Sequence, residues 1–257
     1  MANGLCRSPL EKRNIIMNTK QTYYFDAYSQ KLSAHVLLVE ANGAKTMIEV
    51  SDTVFYPEGG GQPSDQGRII GPNGELKVEF VRFKDGRILH QGTLRGHLQP
   101  GETVQLELKW SLRHRNMRVH AAGHLVHDFL TSIIPDLTPI KGNHSANAFL
   151  QYAGEIDPTL KPELERKINE VLATNLPIQT RESTYDELAA KCKFLPATLP
   201  KNKPLRIIQI GNYPPMPDGG VHVKSTAEIG SIVIQDIVPQ ADNTTIVKYR
   251  ISGGANN

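Results

Sequence analysis

The sequence predicts an α+β protein in which an antiparallel β-barrel or sandwich is followed by a domain that mixes helices with strands. Three observations support this prediction. Short alternating runs of apolar and polar residues fill the chain up to about residue 110, turn-forming residues separate these runs, and helical periodicity begins at Ser111. Before the runs, residues 1–20 are polar and aperiodic, so we expect this segment to be disordered.

The first domain, residues 21–110, is recognised by alternation, which marks strands with one buried face. The runs that alternate, or that are rich in apolar and β-branched residues, are 34–39, 46–50, 76–80 and 104–108. The alternation changes phase at residues 81–83, which indicates a β-bulge. The expected turns are Asn42-Gly43, Pro72-Asn73-Gly74, Asp85-Gly86 and Pro100-Gly101.

The second domain, residues 111–257, begins with a helix predicted over 111–134, with Ser111 as its N-cap and Pro135 just beyond its end. Asp157-Pro158 predicts the start of a second helix, because aspartate caps a helix and proline suits its first turn. Apolar residues recur after it at helical spacing. The other expected elements are a short helix near 185–193 and strands at 148–152, 205–210, 229–234 and 244–251.

Composition limits the classes of protein that need to be considered. The 29 basic and 26 acidic residues give a net charge of +3, which permits a nucleic-acid partner without requiring one. Cys6 and Cys192 are too few for a disulfide framework or an all-cysteine zinc module. The sequence lacks an apolar run of the roughly 18 residues that a bilayer requires, and a signal-peptide core, so we expect no membrane partner and a cytoplasmic location.

Histidines at helical spacing form the first half of a candidate metal site. His120 and His124 are four residues apart, so they share one face of the predicted helix. Two imidazoles placed in this way can bind one zinc ion, although the same spacing also occurs on ordinary surface helices. A zinc-protease site is disfavoured because Ala121, not glutamate, follows the first histidine. We expect His127 to pack or to be solvated, and expect three other histidines on the surface: His90, His97 and His114.

A loop near residue 220 supplies the second half of this candidate site. Asp218 and His222 flank Gly219-Gly220, and glycine permits backbone conformations that bring both side chains to one point. A solvated, glycine-rich loop is the simpler alternative. Together with the helical pair, the loop offers three nitrogens and one oxygen, which is a complete tetrahedral set for zinc.

A third motif, residues 55–67, contains three consecutive glycines followed by Gln62. Glycine lets a backbone approach a ligand or another domain closely. The spacing fits neither of the common phosphate-binding loops, so a nucleotide site is disfavoured. A β-bulge or a tight turn is the structural alternative.

These motifs together resemble the AlaX family of freestanding alanyl-tRNA editing proteins, which share the editing domain of alanyl- and threonyl-tRNA synthetases. The segments that resemble the family are its glycine-rich signature at 55–67, its first metal motif at 120–125, a Lys-Gly loop at 141–144 and its second metal motif at 218–230. The matches extend from about residue 25 to 235. Three departures stand out: Asp218 replaces the usual cysteine, and Val221 and Ala121 replace threonines.

The resemblance implies a translation-factor-like β-barrel over 21–110 and a two-layer α+β editing domain over 111–257. The implied activity is hydrolysis, in trans, of tRNA(Ala) mischarged with serine, with glycine as a second candidate. One Zn²⁺ per chain is implied, and no catalytic residue beyond the ligands, which are His120, His124, Asp218 and His222. The substrate-binding residues that it implies are Gly60, Gly61, Gln62, Lys141, Asn143, His144, Gly219, Gly220 and Thr226.

Such a task is physically reasonable, because a pocket built for alanine cannot strongly exclude glycine or serine, and a second hydrolytic site solves that problem. The alternative is a non-catalytic tRNA-binding protein with a degenerate metal site, since Asp218 replaces a thiolate. The sequence also leaves open whether zinc activates water or only positions the tRNA 3′ end, and it does not identify a protein partner. Four lysines near residues 191–203 either contact tRNA phosphates or are solvated: Lys191, Lys193, Lys201 and Lys203.

Overall fold

The computed structural model describes residues 19–192 and 194–253, and within them the fold is mixed α+β, as the sequence predicts. The expected disorder of residues 1–20 concerns mostly residues outside this part of the chain, and Cys6 and Lys193 also lie outside it. Across the described ranges, none of the helices has the length and apolar character needed to cross a membrane.

Strands of the first part form a closed barrel, which confirms the barrel expected from the sequence. The strands are β1 (Lys20–Gln21), β2 (Lys31–Asn42), β3 (Lys45–Val50), β4 (Asp52–Thr53), β5 (Gly67–Ile70), β6 (Gly74–Lys84), β7 (Arg87–Gly96) and β8 (Thr103–Leu108). The barrel order is β2-β3-β7-β6-β5-β8, and every neighbouring pair is antiparallel. A 3₁₀ helix, Thr22–Tyr24, follows β1, which pairs in parallel with β4.

The barrel confirms the predicted bulge and the predicted hairpin turn. The register of β6 against β7 shifts between Val78 and Phe80, close to the point where the alternation changes phase. Asp85 and Gly86 both have positive φ, 52° and 78°, as a tight hairpin turn requires. Strand β7 has no alternation that predicts it, because its residues 88–90 are buried consecutively.

The second part contains three helices and seven strands among the described residues. They are α1 (Trp110–Ile133), β9 (Thr138–Asn143), β10 (Phe149–Ala153), α2 (Lys161–Ala173), β11 (Ile178–Ser183), α3 (Tyr185–Lys191), β12 (Leu205–Ile210), β13 (Met216–Pro217), β14 (Ser231–Pro239) and β15 (Thr244–Ser252). An antiparallel sheet of order β14-β15-β10-β9 packs against α1 and α2, and β11-β12-β13 form a second sheet. Two further 3₁₀ turns are Pro158–Leu160 and Thr226–Ile229.

The predicted N-cap of the first helix is wrong by two residues, since the N-cap is Lys109 and not Ser111. Helix α1 starts at Trp110, ahead of Ser111, and no side chain caps it. The Trp110 ring instead packs 5.5 Å from Tyr28 and 5.4 Å from His114 (centre to centre), so tertiary packing holds the first turn. The predicted end is confirmed, since Ile134 is the C-cap and Pro135 follows.

Smaller differences concern caps and strand ends. Asp157 caps as predicted, accepting a 2.8 Å bond from the Thr159 amide, but it caps the 3₁₀ turn that precedes α2. Ile229 lies in a 3₁₀ turn and not in β14, which extends beyond the predicted end to Pro239. Strands β9 and β11 are largely polar and exposed, so they carry no pattern that predicts them.

His90 is fully buried in the barrel, so the expected surface position is wrong; His97 is exposed, as expected, and His114 is half-buried. The His90 Nδ1 atom lies 3.0 Å from the Ile48 carbonyl, and the His90 Nε2 atom lies 2.8 Å from Thr53 Oγ1. The carbonyl can only accept, so Nδ1 carries the proton and Nε2 accepts from the hydroxyl. Burial lowers the pKa of His90 to about 4, so the ring is neutral at pH 7.

We expect His90 to make the fold acid-sensitive. As the pH drops, the unfolded chain takes up the proton near pH 6.5 and the folded chain only near pH 4. The free energy of unfolding therefore decreases as the pH is lowered from 6.5 to 4, by about 3 kcal/mol in total. His90→Gln should therefore flatten the decline of the free energy of unfolding between these pH values, measured by urea titration. His97→Gln, at an exposed barrel position, is the control and should decline like the parent protein. Equal slopes for both variants would contradict the assignment.

Candidate metal centre

Four side chains from two distant segments converge at one point. Helix α1 presents His120 and His124 one turn apart, and the loop after β13 presents Asp218 and His222. One ligand atom from each lies within 4.8 Å of all the others. The Asp218 carboxylate is 3.4, 3.7 and 3.3 Å from Nε2 of His120, His124 and His222 respectively. A zinc tetrahedron with bonds of 2.0–2.1 Å has edges of about 3.3–3.4 Å. The separations to His120 and His222 match this value, and the separation to His124 is longer, at 3.7 Å.

The protonation of the imidazoles shows that the set fits a cation. His120 Nδ1 lies 2.8 Å from Gln62 Oε1 and His124 Nδ1 lies 2.8 Å from Met216 Sδ. Both partners accept, so both Nδ1 atoms carry the protons and both Nε2 atoms turn lone pairs toward the Asp218 carboxylate. Both ring nitrogens of His222 and Nε2 of His124 are buried without a hydrogen-bond partner. Facing lone pairs and orphaned buried nitrogens are stabilised when a metal ion lies between them.

Charges within the cluster are those that a metal requires. Burial lowers the pKa of His120 and of His222 well below the usual value, so both imidazoles are neutral at pH 7. Burial acting alone would raise the pKa of Asp218, but the surrounding imidazoles hold it well below the usual value. His120 and His222 are thus neutral imidazoles beside an ionised carboxylate, which is the ligating form of each of these side chains.

The glycine-rich motif of the barrel lies directly against this cluster. Gln62 is fully buried, and its Oε1 also accepts a 3.2 Å bond from the Val221 amide, between the two loop ligands. Gly60 lies beside Asp218, since a Cβ added there would be 3.7 Å from Oδ1. Gly61 has a φ of +78°, and a Cβ there would lie 2.6 Å from the Gly142 carbonyl oxygen, so only glycine fits.

The two glycines between Asp218 and Val221 have different surroundings. The Gly220 amide donates a 2.7 Å bond to Asp218 Oδ2, which orients the carboxylate. A Cβ on Gly220 would collide with the His120 ring. Gly219 is exposed beside the hydroxyl of Tyr24.

His144 is buried against the ligands, whereas three other predicted substrate-binding residues lie further out or are engaged elsewhere. Its ring centre is 4.2 Å from that of His120. Its Nδ1 lies 2.6 Å from Tyr249 Oη, whose own proton goes to the Val119 carbonyl, so Nδ1 donates and Nε2 remains an acceptor. Burial lowers the pKa of His144 to about 3.

The remaining predicted substrate-binding residues have partners within the protein. Lys141 is exposed on β9, with its Nζ 6.0 Å from the Phe149 ring centre. Asn143 Oδ1 accepts from the Ser145 amide at 2.9 Å. Thr226 Oγ1 is buried between the Leu172 carbonyl and the Leu176 amide, so the structure gives this hydroxyl a role in anchoring the 3₁₀ turn.

His127 lies outside the cluster, in accord with its expected packing role. Its Nδ1 is 3.2 Å from Tyr152 Oη, and the two rings stack with centres 5.9 Å apart. Cys192 is half-buried, with Sγ donating to the Phe194 carbonyl, and burial raises the pKa of its thiol. A reactive thiolate is therefore not expected at this position.

Two residues at the edge of the cluster were not among the predicted site residues. The Arg206 guanidinium lies over the Tyr24 ring, 4.5 Å from its centre, and the Arg206 carbonyl accepts from the Asp218 amide at 3.0 Å. Neither residue belongs to a motif of chemically active side chains, so a sequence pattern gave no signal. Strand β12 and the 3₁₀ turn at residues 22–24 bring them together.

A buried ion pair fixes the start of helix α1 to the barrel. Arg113 Nε lies 2.9 Å from each Asp65 carboxylate oxygen, and Nη2 makes a further short contact with Oδ2. Two further guanidinium hydrogens go to the carbonyls of Ala27 and Val54. Asp65 also accepts from the Tyr56 amide at 2.6 Å. Because Arg113 precedes His120 by two helical turns, this pair places the helical ligands relative to the glycine-rich motif.

Comparisons with known proteins find relatives of both parts of the chain. Residues 16–112 match the family described as class II (A) tRNA synthetases, and residues 205–255 match the second additional domain of threonyl- and alanyl-tRNA synthetases. The alanyl-tRNA editing protein AlaX-L of Pyrococcus horikoshii is 32% identical over 238 residues, which cover 90% of this chain and 57% of that protein.

Alanine–tRNA ligases show a similar level of identity over a smaller share of their own length. The ligase of Halobacterium salinarum is 31% identical over 228 residues, which cover 84% of this chain and 24% of the ligase. The ligase of Pyrobaculum aerophilum is 31% identical over 255 residues, which cover 92% of this chain and 27% of that ligase. The chain thus spans somewhat more than half of the editing protein and about a quarter of the ligases.

Proposed function

Because the chain belongs to the AlaX family of alanyl-tRNA editing proteins, we propose that it hydrolyses the aminoacyl ester of mischarged tRNA(Ala). The proposed substrate is Ser-tRNA(Ala), with Gly-tRNA(Ala) as a second substrate. The proposed cofactor is one Zn²⁺ per chain, bound by the four side chains of the metal centre: His120, His124, Asp218 and His222.

The observation that supports this function most strongly is the convergence of three imidazole nitrogens on one carboxylate. A buried carboxylate surrounded by imidazoles costs stability unless a cation neutralises it. Zinc bound there would supply a Lewis acid to an ester that is already activated.

Residues around the centre supply orientation for that chemistry. Gln62 fixes the tautomer of His120, and the Gly220 amide fixes the Asp218 carboxylate. His144 offers an acceptor nitrogen that Tyr249 holds in place. An acceptor beside the centre suits the hydroxyl of a seryl ester or the ribose hydroxyl of a tRNA 3′ end, and the tight approach of Gly61 to Gly142 limits the room for larger side chains.

The direct test is incubation of the zinc-loaded protein with Ser-tRNA(Ala), Gly-tRNA(Ala) and Ala-tRNA(Ala), following release of the amino acid. We expect the seryl ester to be hydrolysed well above its spontaneous rate, and the alanyl ester to be spared. A free serine ester, lacking the RNA, separates an editing enzyme from a general esterase. No release from Ser-tRNA(Ala) at micromolar protein, with tRNA binding retained, would contradict the proposal and favour the non-catalytic tRNA-binding protein.

A further inference from the structure

Three aromatic rings beside the metal centre each have a cation over the ring. The pairs, with the distance from the cation to the ring centre, are Lys20–Phe25 (6.0 Å), Arg206–Tyr24 (4.5 Å) and Lys224–Tyr28 (4.4 Å). We call these three pairs the aromatic–cation strip. Its aromatic members all come from one short segment, which follows the first strand and contains a 3₁₀ turn.

One end of the strip contacts the loop that provides Asp218. A Cβ added at Gly219 would lie 3.7 Å from the Tyr24 hydroxyl oxygen. Arg206 is joined to the same loop, because its carbonyl accepts from the Asp218 amide at 3.0 Å. The Tyr24 pair is therefore adjacent to a metal ligand.

The other end contacts the same loop beyond its second ligand. The Lys224 amide, two residues after His222, donates a 3.1 Å bond to the Tyr28 hydroxyl. That hydroxyl donates in turn to Glu228 at 2.6 Å, so the Tyr28 ring has a fixed orientation. Two of the three pairs thus contact the ligand loop, one at each side of the ligands. The third pair is next to them in the chain, because Phe25 follows Tyr24 directly.

The strip is available to a ligand. The Phe25 side chain is 82% exposed, although burial of an apolar ring is normally favourable. Lys20 and Lys224 are also exposed. Arg206 is partly buried, and its Nη1 and Nη2 donate to the Tyr24 carbonyl (3.4 Å) and to Thr180 Oγ1 (3.0 Å). Its Nε is buried without a hydrogen-bond partner, and no carboxylate of the described residues forms an ion pair with it. The acidic residue in the segment, Asp26, accepts a bond from the Tyr28 amide.

We propose that the aromatic–cation strip binds the unpaired 3′ end of an RNA, with bases stacked on the Phe25 face and phosphates held by Lys20, Arg206 and Lys224. Aromatic rings interleaved with cations are typical of surfaces that bind single-stranded nucleic acid, because every base has a face that stacks and every nucleotide has a phosphate. A peptide or lipid would require a wider apolar surface. The inference rests on the proposed function, since it gives the path by which a tRNA end reaches the centre.

Binding of uncharged RNA tests the proposal without requiring catalysis. The probe is the tRNA(Ala) acceptor-stem hairpin, either intact or lacking its unpaired 3′ nucleotides, and affinity is measured by fluorescence anisotropy. We expect the parent protein to bind the intact hairpin about tenfold more tightly than the trimmed one. Phe25→Ala should remove most of that difference and leave the affinity for the trimmed hairpin unchanged. Its exposed position makes misfolding of this variant unexpected.

Salt dependence tests the cations. Lys20→Gln combined with Lys224→Gln should make the slope of log affinity against log salt shallower by about 1.4, because each phosphate contact on a single strand contributes about 0.7. The matched controls lie on barrel strand β6: Phe83→Ala, at a ring that is 57% exposed, and Lys77→Gln. Both controls should bind like the parent protein.

Several outcomes would contradict the proposal that the aromatic–cation strip binds an RNA 3′ end. They are equal affinity of the parent protein for the two hairpins, unchanged binding by Phe25→Ala, or an equal loss in Phe83→Ala. The test also separates the two proposals. A protein that distinguishes the hairpins but releases no serine contradicts only the proposed function. One that releases serine while Phe25→Ala binds normally contradicts only the strip.

Discussion

Asp218→Ala is expected to remove zinc and deacylation together. The variant deletes the only anionic ligand and leaves three imidazoles. Removal of a group that only supports a ligand lowers metal affinity by up to about 100-fold, so loss of a ligand itself should lower zinc affinity by at least about 100-fold. Asp218→Cys should retain tight zinc, because Gly219 and Gly220 can accommodate the longer Zn–S bond. Zinc content per chain and chelator competition measure the affinity, and release of serine from Ser-tRNA(Ala) measures the activity.

The matched control is His127→Gln, one helical turn beyond the second helical ligand. His127 contacts Tyr152 instead of the cluster, so this variant should keep the zinc content of the parent protein. The carboxylate ligand is a harder donor than the thiolate usual in the family, so the parent protein should hold zinc less tightly than Asp218→Cys does. The assignment is wrong if the parent protein takes up no zinc at saturating concentration, or if Asp218→Ala binds it equally well.

Arg113→Met is expected to lower the free energy of unfolding by about 3–5 kcal/mol, the largest stability loss anticipated for a single change outside the apolar core. Arg113 and Asp65 are both almost completely buried, so the variant leaves a carboxylate without its counter-charge in the interior. Urea-induced unfolding at neutral pH measures the loss. Asp65→Asn, added to Arg113→Met, should restore part of it, because the amide removes the isolated charge and still accepts from the Tyr56 amide.

A control for this prediction lies on the barrel surface. Arg68 pairs with Glu107 in the same kind of contact but is about half exposed, so Arg68→Met should cost less than about 1 kcal/mol. A comparable loss in the two arginine variants would show that burial is not what makes the Arg113 pair important.

The features that the sequence predicted correctly are those encoded in local patterns. Alternation indicated the barrel strands and even the bulge near Val78, and helical spacing placed His120 and His124 on one face. The donor set of three nitrogens and one oxygen joined them with Asp218 and His222 before the resemblance did, and the structure brings all four together. The lysines near residues 191–203 remain a prediction, since no contact of the described residues links them to the centre.

What could not be predicted depends on contacts between distant segments. His90 is buried because β7 lies between β3 and β6 in the wall of the closed barrel. The sequence of β7 does not show this, because three consecutive buried residues do not alternate. The first turn of α1 depends on packing around Trp110, and the Tyr24–Arg206 pair joins residues that are far apart in the chain. Polar edge strands such as β9 form because their neighbours present unpaired backbone groups, which their own sequence does not show.

The bond between Gln62 and His120 crosses from the barrel to the helix that follows it. All four ligands lie after residue 110, yet the tautomer of the first is set by a side chain from the barrel. The metal centre therefore depends on both halves of the chain. A different barrel would fix the His120 tautomer only if it presented an amide oxygen at the position of Gln62 Oε1. The match to the Halobacterium ligase covers 84% of this chain and so includes parts of both halves.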